Sequence, residues 1–550
     1  MDKYRGISDA IQWYISKIQA ETVAKSGIPS DRYHLGKLTL DALKDVPDKV
    51  LQIDGATGET ETFGSVLTRS VKCANAMRKL GVKHKDVVLL MGPNHIHVTI
   101  PMYAAFYLGA GVAGIDMYLV TKELKDTFSI NRPKIIFCQS ERAHDVEEAL
   151  TGLDLGCDVI TFDSGSKFKS LSEFLEVDGK GTSVDEFEAS NFDPAETPLM
   201  LIATSGTTGV PKSAVVTHKN LLIGIQYMWA NFTTFPAPTR LVAVLSPIQW
   251  YSAIFKYIST PILRQTRLQS SLPMTQEHAY HLINKYKPSY AMSSPNYWVI
   301  LFKPGDREKC DLTCFDVLIA GGCPLQEGLR KEIKKATPNT LILNVYGMSE
   351  IAGLAMVYDE TVPHSLGRPI PSLTHKLVNP ETLEEITKPH VTGELWVKGP
   401  SIFKGYYNNP EVTSQTLTED GWLRTGDTMY RDEKWYFYFV DRLKLLLKYK
   451  SHQISPVEIE AVISKHPGVF EVAVTGIRNT DEGDLPVACV VPHDGYNITA
   501  QEIKDIVKNN LTDSKQLRGG VIFVKKLPMT STSKIDRPKL EKLAKESVRE

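Results

Sequence analysis

Short runs of apolar residues recur along the N-terminal part of the chain, between longer stretches that have the spacing of helices. Each run is short enough for a strand and apolar enough to be buried on both faces. Most runs lie more than a dozen residues apart, which leaves room for a crossover helix. This alternation predicts an α/β fold with layered, largely parallel sheets. The predicted strands are Val87–Met91, Ile135–Cys138, Val159–Phe162, Leu199–Ala203, Leu241–Leu245, Val317–Ala320 and Leu341–Asn344.

A largely apolar stretch of the sequence without charged residues runs from Val98 to Ile115. It is short for a membrane span, contains Pro101 and ends at Asp116. We therefore predict a buried core helix here and no transmembrane segment.

The pattern changes after about residue 390. Gly393–Val397 and Trp435–Val440 have the composition of antiparallel or mixed β structure. A polar junction follows at 441–444, and a compact series of helices and strands lies beyond it. We predict a large N-terminal domain over 1–440, a hinge at 441–444, and a small, mobile α+β domain over 445–550.

Two helix starts are marked clearly in the C-terminal part. Ser455-Pro456-Val457-Glu458 places a capping serine, a proline at the first helical position and a glutamate three residues after the cap. Thr499-Ala500-Gln501-Glu502 repeats the capping pattern. The strands predicted around these helices are Val469–Val474, Val487–Val491 and Val521–Val524.

Charge, cysteine content and the terminal residues exclude or disfavour several classes of protein. The chain has 550 residues, with 63 Lys and Arg against 64 Asp and Glu, so a generally basic nucleic-acid-binding protein is disfavoured. Seven cysteines without a Cys-x-x-Cys pair predict reduced thiols and no structural zinc site. The N-terminal residues lack an apolar signal core, and the final residues are not a Ser-Lys-Leu address. Cytosolic localisation is thus favoured over peroxisomal.

The segment from Thr204 to Lys212 carries the clearest chemical signal. Its glycines allow the backbone to approach an anion, its hydroxyls can donate to phosphate oxygens, and Lys212 supplies a positive charge. Pro211 stands where a Walker A loop needs glycine, so this is a different kind of phosphate loop. A polar surface loop is the alternative interpretation of this segment alone. The predicted nucleotide-binding residues here are Thr204, Ser205, Gly206, Thr207, Thr208, Gly209 and Lys212.

This segment resembles the signature loop of the adenylate-forming enzymes, which include acyl-CoA synthetases, coumarate–CoA ligases and beetle luciferases. The resemblance runs from roughly residue 45 to residue 540, with several further motifs in the family's order. It implies that a small carboxylic acid reacts with ATP and Mg²⁺ to give an acyl-adenylate and pyrophosphate. In many members CoA then takes the acyl group.

The resemblance also implies roles for residues in two central motifs. Gly321 and Gly322 would wall the adenine pocket. In the segment Tyr346-Gly347-Met348-Ser349-Glu350, Tyr346 would stack on adenine and Ser349 would bind phosphate or the adenylate. Glu350 would hold Mg²⁺, a cation that prefers oxygen ligands.

Further roles follow for the C-terminal third of the chain. Asp427 and Arg442 would bind the ribose, and Lys444 would form the hinge. Lys534, in a Thr-Ser-Lys-Ile segment, would bridge the carboxylate and the α-phosphate. Lys448 would act in the second step, after rotation of the small domain.

The acyl pocket is the part in which the sequence departs most from the family. Trp250 stands where a histidine is common in the family, and the bulky Trp250 and Tyr251 either gate the thiol channel, shorten the acyl pocket or pack in the core. Ser451 replaces a glycine beside the pantetheine channel, which makes thiol access less certain. Gly224 stands where beetle luciferases tend to have arginine. The predicted acyl-pocket residues are Trp250, Tyr251, Ala320, Gly321 and Ala352.

Two more glycines of the family are replaced, by Ser213 and Ser533, and both replacements are small. Three functions remain open at this point. The leading hypothesis is an acid–CoA ligase. The second is a luciferase that oxidises a luciferyl-adenylate with O₂, and the third is a protein that binds an adenylate or acyl ligand without turnover.

Overall fold

Two large sheets with parallel strands at their centres form the N-terminal part of the protein. The computed structural model describes residues 34–204, 212–222, 241–302, 306–323, 325, 327–359, 361–362, 364–370, 373–443, 445–449, 452–479, 482–493, 495–530 and 534–550. The first sheet has six strands and is parallel except for its last pair. In spatial order its strands are Asp158–Thr161, Ile135–Cys138, Val87–Met91, Gly111–Gly114, Pro198–Thr204 and Lys212–Thr217.

The second large sheet has seven strands and is also parallel except at one edge. All five residues of Val87–Met91 in the first sheet and most of those in the second are buried, as expected for strands covered by helices on both faces. In spatial order the seven strands are Leu341–Val345, Val317–Gly321, Tyr290–Ser293, Leu241–Ala243, Thr266–Gln269, Val50–Asp54 and Thr60–Thr62.

A five-stranded antiparallel sheet follows these two. Its strands are Glu385–Ile386, Thr374–Val378, Gly393–Lys398, Leu423–Arg431 and Phe437–Arg442. Two small hairpins precede it: Gly347–Met348 with Gly353–Leu354, and Met356–Val357 with Arg368–Pro369.

The C-terminal sheet has its own apolar core and mixed strand directions. Its strands are His452–Ile454, Leu447–Tyr449, Gly483–Pro492, Val469–Asn479 and Gly520–Phe523. The fold is therefore α/β, with a large N-terminal domain rich in parallel strands and a smaller C-terminal domain, as the sequence predicts.

Helices cover the sheets throughout the described residues. The α-helices are Leu35–Asp45, Phe63–Lys79, Thr99–Leu108, Thr121–Asn131, Ala143–Leu150, Leu171–Glu173, Tyr251–Ile262, Gln276–Tyr286, Pro295–Phe302, Glu327–Ala336, Pro410–Thr416, Pro456–Ile463, Ala500–Asn510 and Arg537–Glu546. The 3₁₀ turns are Ile96–Val98, Ser140–Arg142, Asp306–Lys309, Leu312–Cys314, Ser349–Ile351 and Asp513–Lys515, and Phe174–Asp178 forms a π turn.

All ten strands predicted from apolar runs are present, most with small shifts at their ends, but Val469–Asn479 and Gly483–Pro492 are longer than predicted. The prediction for Val98–Ile115 was partly wrong, because this stretch holds a helix, Thr99–Leu108, and then a strand, Gly111–Gly114. Gly109 has a φ of 71° and ends the helix in the left-handed conformation, which glycine adopts readily. Pro101 lies in the first turn, where its missing N–H breaks no helical hydrogen bond. No helix of the described residues is long and apolar enough to cross a membrane.

The two predicted caps differ in detail. Thr499 and Glu502 form a full capping box, as predicted. Ser455 accepts a hydrogen bond from the Glu458 amide, but Glu458 forms an ion pair of 2.6 Å with Lys515. The strand Phe437–Arg442 includes the first two residues of the predicted junction at 441–444, and the hinge stays a prediction.

Candidate functional site

Thr204 and Lys212 lie opposite each other in the antiparallel pair that carries the predicted phosphate loop. The Thr204 hydroxyl donates to the Lys212 carbonyl oxygen over 3.3 Å, which closes the base of the hairpin. The Lys212 amine lies 5.6 Å from the centre of the Tyr406 ring. Ser205, Gly206, Thr207, Thr208 and Gly209 fall outside the described residues.

Glu350 is buried in the 3₁₀ turn between the strands of a small hairpin. The Tyr406 hydroxyl donates to its carboxylate over 2.8 Å, and the Phe403 amide donates to its main-chain carbonyl over 2.8 Å. Burial, and then the charge of Glu350, raises the pKa of Tyr406, so this phenol stays protonated and donates. Lys212 and Glu350 thus contact different parts of one tyrosine. A buried carboxylate at this place fits the predicted Mg²⁺ ligand, because Mg²⁺ is bound through carboxylate and phosphate oxygens.

Tyr346, Asp427 and Arg442 form a second polar group. Asp427 and Arg442 are partners in adjacent strands, and the Arg442 Nε lies 3.0 Å from the Asp427 Oδ1. The Tyr346 hydroxyl donates to the Asp427 Oδ2 over 2.7 Å. Burial and the charge of Asp427 raise the pKa of Tyr346, and the same charge raises that of Arg442.

One oxygen of the Asp427 carboxylate, Oδ1, is buried without a directed hydrogen bond among the described residues. Arg442 lies beside this oxygen. A buried acceptor of this kind is costly unless a partner satisfies it. It fits the predicted binding of ribose hydroxyls, since these are hydrogen-bond donors.

The glycines predicted at the nucleotide site are not all required for the same structural reason. A Cβ at Gly321 would lie 2.9 Å from the Val345 side chain, and one at Gly347 would lie 2.1 Å from the Gly353 carbonyl oxygen. Packing against protein thus explains these two. Gly322 has a φ of 91° and open space at its Cβ position, so it is the glycine that offers an open backbone surface.

Trp250 and Tyr251 lie at the start of the helix Tyr251–Ile262. The Tyr251 hydroxyl donates to the Ala352 carbonyl oxygen over 2.7 Å, and Ala352 has a φ of 53° at the end of the Glu350 turn. The two predicted acyl-pocket regions are therefore in contact. The Trp250 Nε1 is buried without a hydrogen-bond partner among the described residues. Ala320 lies at the end of the strand Val317–Gly321, as predicted.

Lys534 lies in the C-terminal part of the chain, and its side chain is exposed. Desolvation lowers its pKa, and the charge of Arg442 lowers it further. Cys323, Glu350 and Asp427 act in the opposite direction. The role of Lys534 in adenylation stays a prediction.

Several other predicted residues are described by the structure only in part or not at all. The Lys448 backbone lies in the strand Leu447–Tyr449, and its side chain is outside the described part of the structure. Lys444, Ser451, Ser533 and Gly224 lie outside it entirely. Ser213 is buried and donates to the Asn131 side-chain oxygen over 2.6 Å. Ser349 is half-buried at the start of the Glu350 turn.

Sequence reasoning missed two residues of this region. Tyr406 contacts Glu350 and Lys212, and none of the motifs recognised in the sequence includes it. Glu394 is buried and accepts hydrogen bonds from the Gly426 amide over 2.9 Å and from the Trp396 indole over 2.7 Å. It supports the backbone that presents Asp427, and no local pattern in the sequence indicates this distant contact.

The chain belongs to the AMP-binding enzyme family, the adenylate-forming superfamily. Residues 41–407 match the model of the AMP-binding enzyme, and residues 458–534 match that of its C-terminal domain. The prediction of the family from sequence motifs is therefore confirmed.

The relatives of this chain include a protein named as a luciferin monooxygenase and proteins named as CoA ligases. The chain is 30% identical over 518 residues to luciferin 4-monooxygenase of Photuris pensylvanica, covering 91% of this chain and 92% of that protein. It is 30% identical over 505 residues to peroxisomal OPC-8:0-CoA ligase 1 of Arabidopsis thaliana, covering 90% and 91%. An anthranilate CoA ligase crystallised with anthranoyl-AMP has a TM-score of 0.84 at 21% identity, covering 94% and 98%, which shows a common fold.

Proposed function

We propose that this protein activates a carboxylic acid with ATP and transfers the acyl group to CoA. The observation that carries the proposal is the ion pair of Asp427 with Arg442, with the Tyr346 hydroxyl on the same carboxylate. A second group, Glu350 and Lys212 on different parts of one tyrosine, supplies a carboxylate for Mg²⁺ and a cation for phosphate.

In the first step the acid's carboxylate oxygen attacks the α-phosphorus of ATP, and the bond to pyrophosphate breaks. Lys534 would hold the attacking carboxylate against the α-phosphate and offset the charge that develops there. Lys212 would bind the departing pyrophosphate. Asp427 would accept hydrogen bonds from the ribose hydroxyls, with Arg442 and Tyr346 holding the carboxylate in place. Mg²⁺ bound at Glu350 would neutralise phosphate charge.

In the second step the CoA thiol attacks the acyl carbonyl carbon, and AMP leaves. We propose that the domain formed by 445–550 turns about the hinge at 441–444, with Lys444 as the pivot. Lys534 then leaves the site and Lys448 replaces it. The relatives named as CoA ligases support this second step.

A luciferase is the second candidate, because one relative of 30% identity is a luciferin 4-monooxygenase. Both candidates share the adenylation step and differ in the reaction of the adenylate. A luciferase would oxidise the adenylate with O₂ and emit light, whereas a ligase would form a thioester.

The test is acid-dependent ATP–pyrophosphate exchange with Mg²⁺ over a panel of fatty, aromatic and luciferin acids. CoA is then added to each active acid, and thioester and light are recorded in the same wells. Exchange followed by thioester supports the ligase, and light without thioester supports the luciferase. The absence of exchange, together with binding of a non-hydrolysable acyl-adenylate mimic, would contradict both and indicate a protein that binds without turnover.

A further inference from the structure

A cavity of about 300 Å³ is lined by residues of the helix Phe63–Lys79 and of the segment 171–178. Another part of its wall is Phe162, which directly follows the edge strand Asp158–Thr161 of the six-stranded sheet. The predicted phosphate loop joins the two strands at the opposite edge of that sheet. Because neighbouring strands lie about 4.8 Å apart, the two edges are roughly 20 Å from each other. The cavity is therefore distinct from the candidate adenylation site.

One wall of the cavity carries a guanidinium group that is already held in place. Arg69 forms an ion pair of 2.5 Å with Glu61, which is only 7% exposed, and its Nη2 donates to the His97 Nδ1 over 3.0 Å. Burial and the charge of Arg69 lower the pKa of His97, so the imidazole stays neutral and accepts this hydrogen bond. Arginine has further N–H donors for a ligand. Because this group is oriented beforehand, it loses little conformational freedom when it binds an anion.

Two more charged side chains line the cavity, and they have opposite signs. Lys72 follows Arg69 by three residues, on the same face of the helix, and Glu176 lies in the π turn. Both are exposed at the mouth. Neither forms an ion pair or a hydrogen bond with a residue that the structure describes, and they do not pair with each other. A ligand that carries both charges can contact the two of them at once.

The floor of the cavity is apolar and its volume is small. Phe162, Leu171 and Leu175 line it, and their exposed fractions are 5%, 1% and 6%. Apolar surface of a ligand placed there would be removed from water. The volume equals that of about ten water molecules, at about 30 Å³ each, so a ligand of about that many non-hydrogen atoms fits and a nucleotide does not.

We propose that this cavity binds a free α-amino acid with an apolar side chain of the size of leucine. The carboxylate accepts hydrogen bonds from Arg69 and Lys72, and the ammonium group donates to Glu176 and to the Ser172 hydroxyl beside it. The apolar side chain lies on the floor of the cavity. Hydrogen bonds between charged groups are the stronger kind, and one such contact at each end of the ligand distinguishes it from a simple acid or amine.

The test is titration calorimetry of the full-length protein with L-leucine and with two analogues that each lack one charge. These are 4-methylpentanoate, without the amine, and 3-methylbutylamine, without the carboxylate. Leucine should bind at a single site, and each analogue should bind at least about tenfold more weakly, because hydrogen bonds to a charged group are lost.

Two variants assign the ends of the ligand. Lys72→Met should weaken leucine and 4-methylpentanoate and leave the amine unchanged. Glu176→Gln should weaken leucine and 3-methylbutylamine and leave 4-methylpentanoate unchanged. A third variant, Ser172→Trp, fills the mouth of the cavity and should abolish leucine binding. All three positions are exposed, and thermal melting checks that each variant is folded.

Lys79→Met is the matched control, because Lys79 is an exposed lysine at the end of the same helix and does not line the cavity. It should bind leucine as the wild type does. The absence of saturable leucine binding would overturn the proposal, as would binding that Lys72→Met and Ser172→Trp leave unchanged. An analogue that binds as tightly as leucine would overturn the choice of an amino acid. Since binding is measured without turnover, none of these results depends on the proposed function.

Discussion

Replacing Lys534 with alanine should stop adenylate formation while leaving the fold and ATP binding in place. Thr530 holds the Lys534 backbone, because the Thr530 amide donates to the Lys534 carbonyl over 2.7 Å and the Lys534 amide donates to the Thr530 hydroxyl over 3.1 Å. Both hydrogen bonds remain in the alanine variant. The perturbation is therefore confined to the loss of one ammonium group.

The expected loss of adenylation rate in Lys534→Ala follows from the charges that act on the Lys534 ammonium. In the free protein it is repelled by Arg442 and attracted by Glu350 and Asp427, so these contributions oppose each other and removal should change stability little. In the transition state it faces new negative charge on the acid and the α-phosphate. Removing one preorganised group of this kind typically costs about 3 to 4 kcal/mol, or roughly 10²- to 10³-fold in rate.

Single-turnover formation of the adenylate measures this loss directly, and calorimetry measures ATP binding in the same variant. Lys542→Ala is the control, because the Lys542 side chain is 73% exposed and its amine forms a long surface ion pair of 3.9 Å with Glu546. Such pairs contribute little, so the control should behave as the wild type. Adenylation within about tenfold of wild type in Lys534→Ala would refute its role.

Three further predictions concern other parts of the molecule. Asp427→Asn should weaken ATP binding by roughly tenfold to a hundredfold in calorimetry without changing acid binding, because the ion pair with Arg442 and a charged acceptor are lost. Tyr251→Phe should raise the KM for the acid more than that for ATP and lower the unfolding free energy by about 1 kcal/mol, since the bond to Ala352 is lost. Burial lowers the pKa of His34 to about 3, below its unfolded value of 6.5, so the unfolded chain takes up the proton first on acidification. Protonation of His34 in the unfolded chain should account for about 2 kcal/mol of the unfolding free energy that is lost between pH 6.5 and 5, so urea unfolding of His34→Gln should show a loss smaller by that amount.

Apolar runs predicted the central strands well because parallel strands buried on both faces need continuous hydrophobic sequence. Val87–Met91 matches its prediction residue for residue. The same rule failed at Val98–Ile115, where a helix and a strand are both fully buried and periodicity cannot separate them. The strand Gly347–Met348 has only 2 residues, too few to show a hydrophobic pattern.

The candidate site was predictable where a motif carries its own chemistry and unpredictable where contacts are distant. Glu350 was found through its motif, but its hydrogen-bond donor Tyr406 is 56 residues away. Glu394 supports Gly426 across 32 residues. These supporting contacts depend on the pairing of strands in space, which local sequence does not encode.

The nucleotide-binding part of the site has the same task for every acid, whereas the acyl pocket must fit one particular acid. This difference explains why the family was easier to predict than the substrate. Adenylation places the same charges on phosphate, ribose and carboxylate whatever acid reacts, so residues such as Asp427 and Lys534 can be assigned by resemblance. The acid's other end would contact the predicted acyl pocket, where Trp250 and Tyr251 begin the helix Tyr251–Ile262. No step of the chemistry requires either residue. Specificity is a difference in binding between acids, and it must be measured at these residues.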